Sequence, residues 1–237
     1  MNKAGILYLI PSGISEGPLP YLPEHTLECI RSLDIFICER AKTARRFIKQ
    51  INHPKPISEL VFVEIPKKRE YIYLDEDLAP LSKGQNIGLL SEAGSPGIAD
   101  PGAEICLRAH QMKAEIVPLI GPSSILLALM ASGLNGQQFT FHGYLSPKKE
   151  LIGRDLKRLE HQSCKDKGAH IFIETPYRNG QILDAMKNHL SNSTLFCIAA
   201  GIHSPEAFIR TMSVADWKKE RIPNIHKVPA VFILQVI

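Results

Sequence analysis

The sequence predicts an α/β protein of two α/β domains, with mainly parallel or mixed sheets. Short apolar runs alternate with segments of helical pattern from Gly5 to Ala131, which is typical of parallel βα units. The alternation starts afresh near Phe139, after a break in character over residues 121–138. We therefore expect an N-terminal domain of residues 1–120, a C-terminal domain of residues 121–237 and a cleft between them.

Strands of the first half are predicted from apolar runs. These runs are Gly5–Ile10, Asp34–Cys38, Leu60–Ile65, Asn86–Leu90 and Ala114–Ile120. The segments that read as helices are Pro23–Leu33, Ala41–Ile51, a segment ending near Ser82, Ala103–Lys113 and Ile125–Ala131. We expect Asp100 to cap the helix at 103–113, with Pro101 as its first residue.

The second half has the same kinds of signal in a different order. Its predicted strands are Phe139–Leu145, Ala169–Glu174, Leu195–Ala200, Phe208–Met212 and Pro229–Val236. Helices are expected at Leu151–His161 and Asn179–Leu190. Ser213 with Asp216 predicts a capping box at the start of a short helix that carries Trp217.

The composition is that of a folded, water-soluble protein, with 44% hydrophobic and 22% charged residues among 237. No apolar run reaches membrane-spanning length and the N-terminus lacks a secretory pattern, so we expect a cytoplasmic protein. The five cysteines are dispersed and odd in number, which favours reduced core residues over disulfides or a zinc site. The net charge of +4 permits an anionic partner without requiring one.

Three loops follow predicted strands and are rich in Gly, Pro and small residues: Pro11–Gly13, Ser91–Gly102 and Gly121–Ser124. In a parallel sheet such loops meet at one edge, where backbone amides and small hydroxyls suit a small polar ligand. The loop of residues 91–102 is longer than a strand-to-helix connection needs, and an ordinary surface loop is the alternative. Neither G-x-G-x-x-G nor G-x-x-x-x-G-K-[ST] occurs, which disfavours a standard dinucleotide fold or P-loop enzyme.

These loops resemble a known family. Ser91–Gly102 is similar to S-D-A-G-T-P-x-I-x-D-P-G, and residues 118–124 are similar to P-L-P-G-P-[SC]-[SA]. Residues 139–148 and 172–178 resemble G-[FY]-L-x-x-K and F-[YF]-E-[SA]-P-H-R, and residues 5–11 resemble the opening strand and turn. The chain thereby resembles the tetrapyrrole methylase superfamily of S-adenosylmethionine-dependent methyltransferases. Within it, the chain looks most like enzymes that methylate a cytidine 2′-hydroxyl of small-subunit ribosomal RNA.

The resemblance implies two α/β domains with S-adenosylmethionine held in the cleft, no metal, and a homodimer. The residues that it implies for the cofactor are Pro11, Ser91, Glu92, Ala93, Gly94, Ser95, Pro96, Asp100, Gly121, Pro122, Ser123 and Ser124. Glu39 is the candidate to act on the acceptor hydroxyl. The candidates for substrate binding are Lys42, Arg45, Glu174 and Arg178.

Each candidate has a plainer alternative. Glu39 could be a carboxylate at a helix start, Ser123 and Ser124 could be helix caps, and Glu174 could pair with Arg178. The cations expected to form an RNA-phosphate track could instead be ordinary solvated surface; they are Lys42, Arg45, Arg46, Lys67, Lys68 and Arg69. The three histidines without metal-ligand spacing are expected to be structural: His142, His170 and His203. Trp217 is expected in the core or in a dimer contact.

The sequence departs from the ribosomal pattern in ways that leave other functions open. The family's E-D-T-R is Glu39-Arg40-Ala41-Lys42 here, and A-R-E-L-T-K is replaced over residues 199–204. The family's T-P-I-G-N-L-x-D has no Asn-Leu-x-Asp counterpart in residues 12–23. A methyltransferase of a small molecule, such as a tetrapyrrole precursor, and a cofactor-binding paralogue without turnover are the alternatives.

Overall fold

The computed structural model describes residues 4–15, 21–66 and 74–237. The chain folds as two compact units, Met1–Ser123 and Ser124–Ile237. The predicted basic run Lys67-Lys68-Arg69 and the Gly/Pro-rich segment 16–20 lie outside the described residues.

The first unit contains a five-stranded parallel sheet of the order β3-β2-β4-β1-β5. Its strands are β1 (Ile6–Ile10), β2 (Ile35–Cys38), β3 (Val61–Glu64), β4 (Ile87–Leu90) and β5 (Glu115–Pro118). The helices of the unit are α1 (Glu24–Arg31), α2 (Ala41–Gln50), α3 (Leu74–Ser82) and α4 (Ala103–Gln111). Every strand and helix predicted for residues 5–113 that falls on described residues is present, with ends that differ by one to a few residues.

The sheet of the first unit is covered on both faces, which explains why its strands read as continuous apolar runs. All four residues of β4 are buried. One apolar cluster contains Ile10, Phe36 and Ile48 from β1, β2 and α2, and a second contains Leu7, Leu78 and Ile105 from β1, α3 and α4. This double-sided packing fixes the central strands firmly and leaves their carboxyl ends free to carry loops.

The second unit contains a mixed sheet of the order β6-β7-β10-β8-β9. Its strands are β6 (Phe139–Tyr144), β7 (Ala169–Glu174), β8 (Leu195–Ala200), β9 (Phe208–Ser213) and β10 (Ala230–Gln235). Only the β6–β7 pair among them is parallel. The helices are α5 (Ser124–Ser132), α6 (Lys149–Asp166), α7 (Asn179–His189) and α8 (Val214–Trp217). The prediction of α/β units with parallel or mixed sheets is therefore confirmed.

The short helix α8 begins as predicted. The Ser213 hydroxyl accepts a hydrogen bond from the Asp216 backbone N–H and donates to the Asp216 carboxylate at 2.6 Å. Trp217 is fully buried, and its indole N–H donates to the Phe196 carbonyl at 2.7 Å. Of the two places expected for Trp217, the core is the one observed.

Helix α4 begins at Ala103, as predicted, but the prediction that Asp100 caps it with Pro101 as its first residue is wrong. The N-cap position is Gly102, with a φ of 139°, and no side chain caps the helix there. A Cβ on Gly102 would lie 3.1 Å from the Leu89 side chain and 3.3 Å from the Gly97 backbone nitrogen, so the chain turns too tightly at this point for the helix to begin at Pro101. Asp100 is thereby released from capping.

Candidate active site

The candidate site lies at the carboxyl edge of the first sheet. Because β1 to β5 are parallel, the loops that follow Ile10, Cys38, Leu90 and Pro118 all leave from this edge. β4 and β1 are neighbours near the sheet centre, so the loop of residues 11–13 and the loop of residues 91–102 start side by side.

These two loops are joined by hydrogen bonds. The Ser12 N–H donates to the Gly94 carbonyl at 2.9 Å, and the Gly94 N–H donates to the Ser12 carbonyl at 3.2 Å. The Ser12 hydroxyl donates to the Ser91 carbonyl at 2.9 Å, and the Ser91 hydroxyl donates to the Gly94 carbonyl at 2.6 Å. Ser12 and Ser91 are both buried, so these bonds hold the start of the long loop in one conformation.

The third loop packs against the first. The Leu119 N–H donates to the Leu9 carbonyl at 3.0 Å, and the Thr26 hydroxyl donates to the Ile120 carbonyl at 2.8 Å. A Cβ on Gly121 would lie 2.2 Å from Pro11 Cγ, so only glycine permits this contact. The three loops predicted to converge are in contact with one another.

The loop of residues 91–102 contains several backbone conformations that side chains rarely adopt. Gly94 and Gly97 have φ values of 75° and 78°, and nothing lies within 4 Å of a Cβ built on Gly97. Ala99 has a φ of 62°, which is uncommon for a residue with a Cβ and costs about 1–3 kcal/mol. Such strain persists where the surrounding structure or a ligand determines the conformation.

Three interacting carboxylates, here called the carboxylate cluster, lie at this edge: Glu39 after β2, and Glu92 and Asp100 in the long loop. A fourth carboxylate, Glu64, is the last residue of β3. Burial, and after it the Glu39 and Glu92 carboxylates, raises the pKa of Asp100 to about 6. Burial also raises the pKa of Glu39, and the Glu92 charge adds to this while the Glu92 backbone N–H opposes it. The Oε1 atom of Glu39 is buried and accepts no hydrogen bond within the described part of the chain.

The Cys38 thiol lies beside the same negative charges. Burial, followed by the Glu64 and Glu92 carboxylates, raises its pKa to about 12. Glu39 does not cap α2, because the Ala41 N–H at the start of that helix donates to Glu64 Oε1 at 2.6 Å. Its alternative role as a helix-start carboxylate stabilised by the macrodipole does not require such a bond, so both roles of Glu39 stay predictions.

The structure places most of the residues predicted for the cofactor at this edge. They are Pro11, Ser91, Glu92, Ala93, Gly94, Ser95, Pro96, Asp100, Gly121, Pro122 and Ser123, all in the first unit. Ser124 is the first residue of α5 and belongs to the second unit. Contact of any of them with a cofactor stays a prediction.

The described cations of the predicted RNA-phosphate track lie on the solvent side of α2. Lys42, Arg45 and Arg46 are exposed there, together with Lys49, which was not predicted, and within the described residues none of the four forms an ion pair. The guanidinium of Arg45 lies 5.3 Å from the Phe62 ring centroid. Since α2 begins three residues after β2 ends, this basic face starts beside the carboxylate cluster.

Glu174 and Arg178 lie in the second unit and form the ion pair that was their alternative role. Arg178 Nη1 lies 3.1 Å from Glu174 Oε2, and Arg178 Nη2 donates to the Ser146 carbonyl at 2.8 Å. Glu174 is 5% exposed and also accepts from the Thr175 N–H. The pair joins the loops that follow β6 and β7, and contact with a substrate stays a prediction for both residues.

Two sets of interactions were not predicted from the sequence. In the first, Ser12 joins two loops; the only signal for it in the sequence is its position in Pro-Ser-Gly, directly after a strand. His142 Nε2 and His170 Nδ1 lie 2.8 Å apart, and His170 Nε2 lies 3.2 Å from Asp166. The spacing of these residues along the chain gives no sign of this network, which depends on the alignment of β6 with β7.

Residues 4–15, 21–66 and 74–237 contain neither a membrane-spanning helix nor a cluster of metal ligands. No helix there is long and apolar enough to span a membrane. No group of three or more His, Cys, Asp or Glu side chains there has an arrangement that could hold a metal ion.

Comparisons with known proteins agree with this architecture. A family model described as Tetrapyrrole (Corrin/Porphyrin) Methylases matches residues 7–211. The protein named Ribosomal RNA small subunit methyltransferase I of Bacillus subtilis (strain 168) is 31% identical over 221 residues, covering 92% of this chain and 72% of the relative. The protein of the same name from Vibrio cholerae is 30% identical over 218 residues, covering 91% of this chain and 71% of the relative.

Some relatives extend further than this chain. The chain covers 66% of the relative of the same name from Synechocystis, to which it is 28% identical over 197 residues. Among solved structures, a diphthine synthase aligns with a TM-score of 0.64 at 14% identity, covering 98% of this chain and 90% of the other. The methyltransferase CobJ aligns with a TM-score of 0.60 at 18% identity, covering 98% and 94%. At these identities the structures show a shared fold.

Proposed function

Because the chain belongs to the tetrapyrrole methylase family, we propose that it is an S-adenosylmethionine-dependent methyltransferase acting on a ribose 2′-hydroxyl of small-subunit ribosomal RNA. The relatives that share about 30% identity over most of the chain carry the name of an RNA methyltransferase and support this acceptor. The observation in the molecule that carries the proposal is the carboxylate cluster of Glu39, Glu92 and Asp100 beside the joined loops.

The cluster suits a cationic cofactor. S-Adenosylmethionine has a sulfonium and an ammonium group, and when bound it supplies an electrophilic methyl group. Burial, and after it repulsion by Glu39 and Glu92, raises the pKa of Asp100, and a nearby positive charge would oppose both effects. It would also give the buried Oε1 of Glu39 an electrostatic partner. We assign the binding to Glu92, Asp100 and the backbone of the loop that Ser12 and Ser91 hold in place.

Glu39 is the residue that we assign to the acceptor hydroxyl. A hydroxyl that attacks a methyl group must lose its proton at some stage, and a carboxylate of raised pKa is a better acceptor than an ordinary one. The rigid loops around it position the reacting groups and exclude water, which is the larger part of catalysis for such a displacement.

The exposed face of α2 supports an RNA substrate. Its four cations, Lys42, Arg45, Arg46 and Lys49, lie along one helix of ten residues. Clustered Lys and Arg bind phosphates and release counterions, so affinity should fall steeply with salt. A small-molecule acceptor would not need such a face.

We also propose that the protein works in the cytoplasm as a homodimer. Ribosomal RNA, named as the substrate of the relatives, supports the location. Leu126 and Met130 lie four residues apart on α5 and are 51% and 79% exposed, which supports an apolar contact between copies.

Calorimetry with S-adenosylmethionine and methyl transfer from labelled cofactor to small-subunit RNA test the function. We expect the wild type to bind S-adenosylmethionine and to label the RNA. Glu39→Gln should bind the cofactor but not label the RNA. In Lys42→Ala/Arg45→Ala, the affinity for RNA should depend less on salt. Lys113→Gln, at the opposite end of the first sheet, is the matched control and should behave as the wild type. Binding without RNA labelling would favour a small-molecule acceptor, and absence of binding would contradict the methyltransferase.

A further inference from the structure

Four loops lie at one edge of the second sheet. β6 and β7 are parallel, so the loops that follow them, residues 145–148 and 175–178, leave from the same edge. β10 begins there, because Ala230 pairs with Glu174 at the end of β7. Ala230 also pairs with Ala200, so residues 201–207 after β8 and residues 222–229 before β10 lie at this edge too.

Tyr177 stands out at this edge as an exposed aromatic ring beside cations. It is 67% exposed, which is unusual for a large aromatic side chain. Lys227 Nζ lies 5.9 Å from the ring centroid, and the His226 ring meets the Tyr177 ring edge-on with centroids 5.9 Å apart. Lys148 and Lys149, in and just after the neighbouring loop, are also exposed.

Hydrogen bonds of a buried side chain and of the backbone fix the loop that carries Lys227. The buried Asn179 donates from Nδ2 to the carbonyls of Ile225 and Val228, both at 2.8 Å, and so fixes the loop that carries Lys227. The Lys227 N–H donates to the Pro176 carbonyl at 3.2 Å, and Lys227 has a φ of 65°.

Unlike Lys113 and Lys167, which also have positive φ, Lys227 does not follow a helix. Its strained conformation places the ammonium group beside the Tyr177 ring. The partner loop is fixed equally, because Arg178 bonds the Ser146 carbonyl and neutralises the buried Glu174. The ring and its cation are thus organised in advance of any partner.

We propose that Tyr177 is a stacking platform for an unpaired base of the RNA substrate, with Lys227 contacting the adjoining phosphate. The proposal rests on the proposed function and adds to it a recognition surface in the second unit. Proteins read single-stranded RNA by stacking its bases on aromatic rings beside Lys or Arg. Tyr144, at the end of β6, is also exposed at this edge, and Tyr177 has a lysine ammonium beside its ring. An exposed ring next to a cation matches a base and its phosphate better than it matches an apolar protein surface.

Binding of a single-stranded RNA from the small ribosomal subunit tests the platform, with four variants compared. Tyr177→Ala should weaken RNA binding about 5- to 140-fold, the range that corresponds to about 1–3 kcal/mol for one stacked base. Tyr177→Phe should stay within about twofold of the wild type, because the ring is kept. Lys227→Gln should weaken binding and reduce its salt dependence by about one phosphate contact. Lys167→Gln is the matched control, since Lys167 also has a positive φ, of 58°, and precedes β7 at the opposite edge.

Independent readouts separate this proposal from the proposed function. S-Adenosylmethionine affinity and thermal melting should be the same in all four variants and in the wild type. If the wild type methylates RNA and Tyr177→Ala binds RNA equally well, the stacking platform is overturned and the proposed function is not. A wild type that neither binds nor methylates RNA would overturn the RNA function and the platform together. Loss of self-association in Tyr177→Ala, with RNA affinity unchanged, would assign the ring to a protein contact and also overturn the proposal.

Discussion

Replacing Asp100 by Asn should stabilise the protein without ligand near neutral pH and weaken its binding of S-adenosylmethionine. Asp100 lies in a half-buried position where burial and the charges of Glu39 and Glu92 raise its pKa from 3.8 to about 6. Above that pH the wild type must carry a charge that its surroundings disfavour. The amide of Asn has nearly the same shape as the carboxyl group and carries no charge.

The size and sign of the effect follow from the shift in pKa. A carboxyl whose pKa is raised on folding favours the folded state below the unfolded value of 3.8, and this advantage is lost as the pH rises through about 6. Two pKa units correspond to about 3 kcal/mol, and screening by solvent at a half-exposed site reduces this to about 1–2 kcal/mol. The variant should therefore match the wild type near pH 4 and exceed it by that amount at pH 8.

Denaturant unfolding followed by circular dichroism at pH 4, 6 and 8 measures this difference. Glu39→Gln should give part of the same gain, and the double variant less than the sum of the two, because each charge destabilises the other. Asp75→Asn is the contrasting control: Asp75 is exposed, and its hydrogen bond to Arg108 lowers its pKa. That substitution should not stabilise the protein at any pH.

Affinity for the cofactor should change in the opposite direction. Losing the Asp100 carboxylate should weaken S-adenosylmethionine binding about 5- to 30-fold, which corresponds to about 1–2 kcal/mol. In the wild type the affinity should also fall as the pH drops below about 6, and Asp100→Asn should lose most of this dependence. A variant that is less stable than the wild type at pH 8, or that binds the cofactor equally well, would refute the reasoning.

Three further substitutions test other parts of the structure. Gly121→Ala should lower both the melting temperature and cofactor affinity, because its Cβ would lie 2.2 Å from Pro11 Cγ; melting and calorimetry measure this. Arg178→Ala should cost about 3–5 kcal/mol in denaturant unfolding by leaving the buried Glu174 charge without its partner, and Arg178→Lys should recover part of it. Burial, and after it His170, lowers the pKa of His142 to about 4, so the wild type should lose stability as the pH falls from about 6.5 to 4 and His142→Gln should lose less over the same range.

The strands were predictable because their burial is simple. The apolar runs of residues 86–90 and 195–200 become β4 and β8, which are almost wholly buried, so composition alone marks them. Helix ends were less predictable. Helix α6 continues to Asp166, five residues past the expected end, because the polar residues 162–166 have no stop signal before Lys167 adopts a left-handed conformation.

The site was predictable in its loops but not in its charges. The Gly and Pro content of residues 91–102 marked that loop as a candidate for ligand binding, and the parallel sheet implied that the three loops meet. The convergence of Glu39 with Asp100 depends on β2 lying beside β4, which no local pattern reveals. The Asp100-Pro101 pair predicts a helix cap because Asp-Pro is a common helix start, but the N-cap position is Gly102.

The free energy of unfolding that Asp100→Asn gains without ligand should be offset when cofactor is present, because the variant binds the cofactor more weakly. A ligand present at a hundred times its Kd stabilises the folded state by about 2.7 kcal/mol. If Asp100→Asn binds about tenfold more weakly, the same concentration stabilises it by only about 1.4 kcal/mol. This difference of about 1.3 kcal/mol is similar to the gain expected for the variant without ligand, so the melting curves of the two proteins should converge as cofactor is added. Parallel curves at every cofactor concentration would mean that Asp100 does not respond to the ligand's charge, and the carboxylate cluster would then be unrelated to cofactor binding.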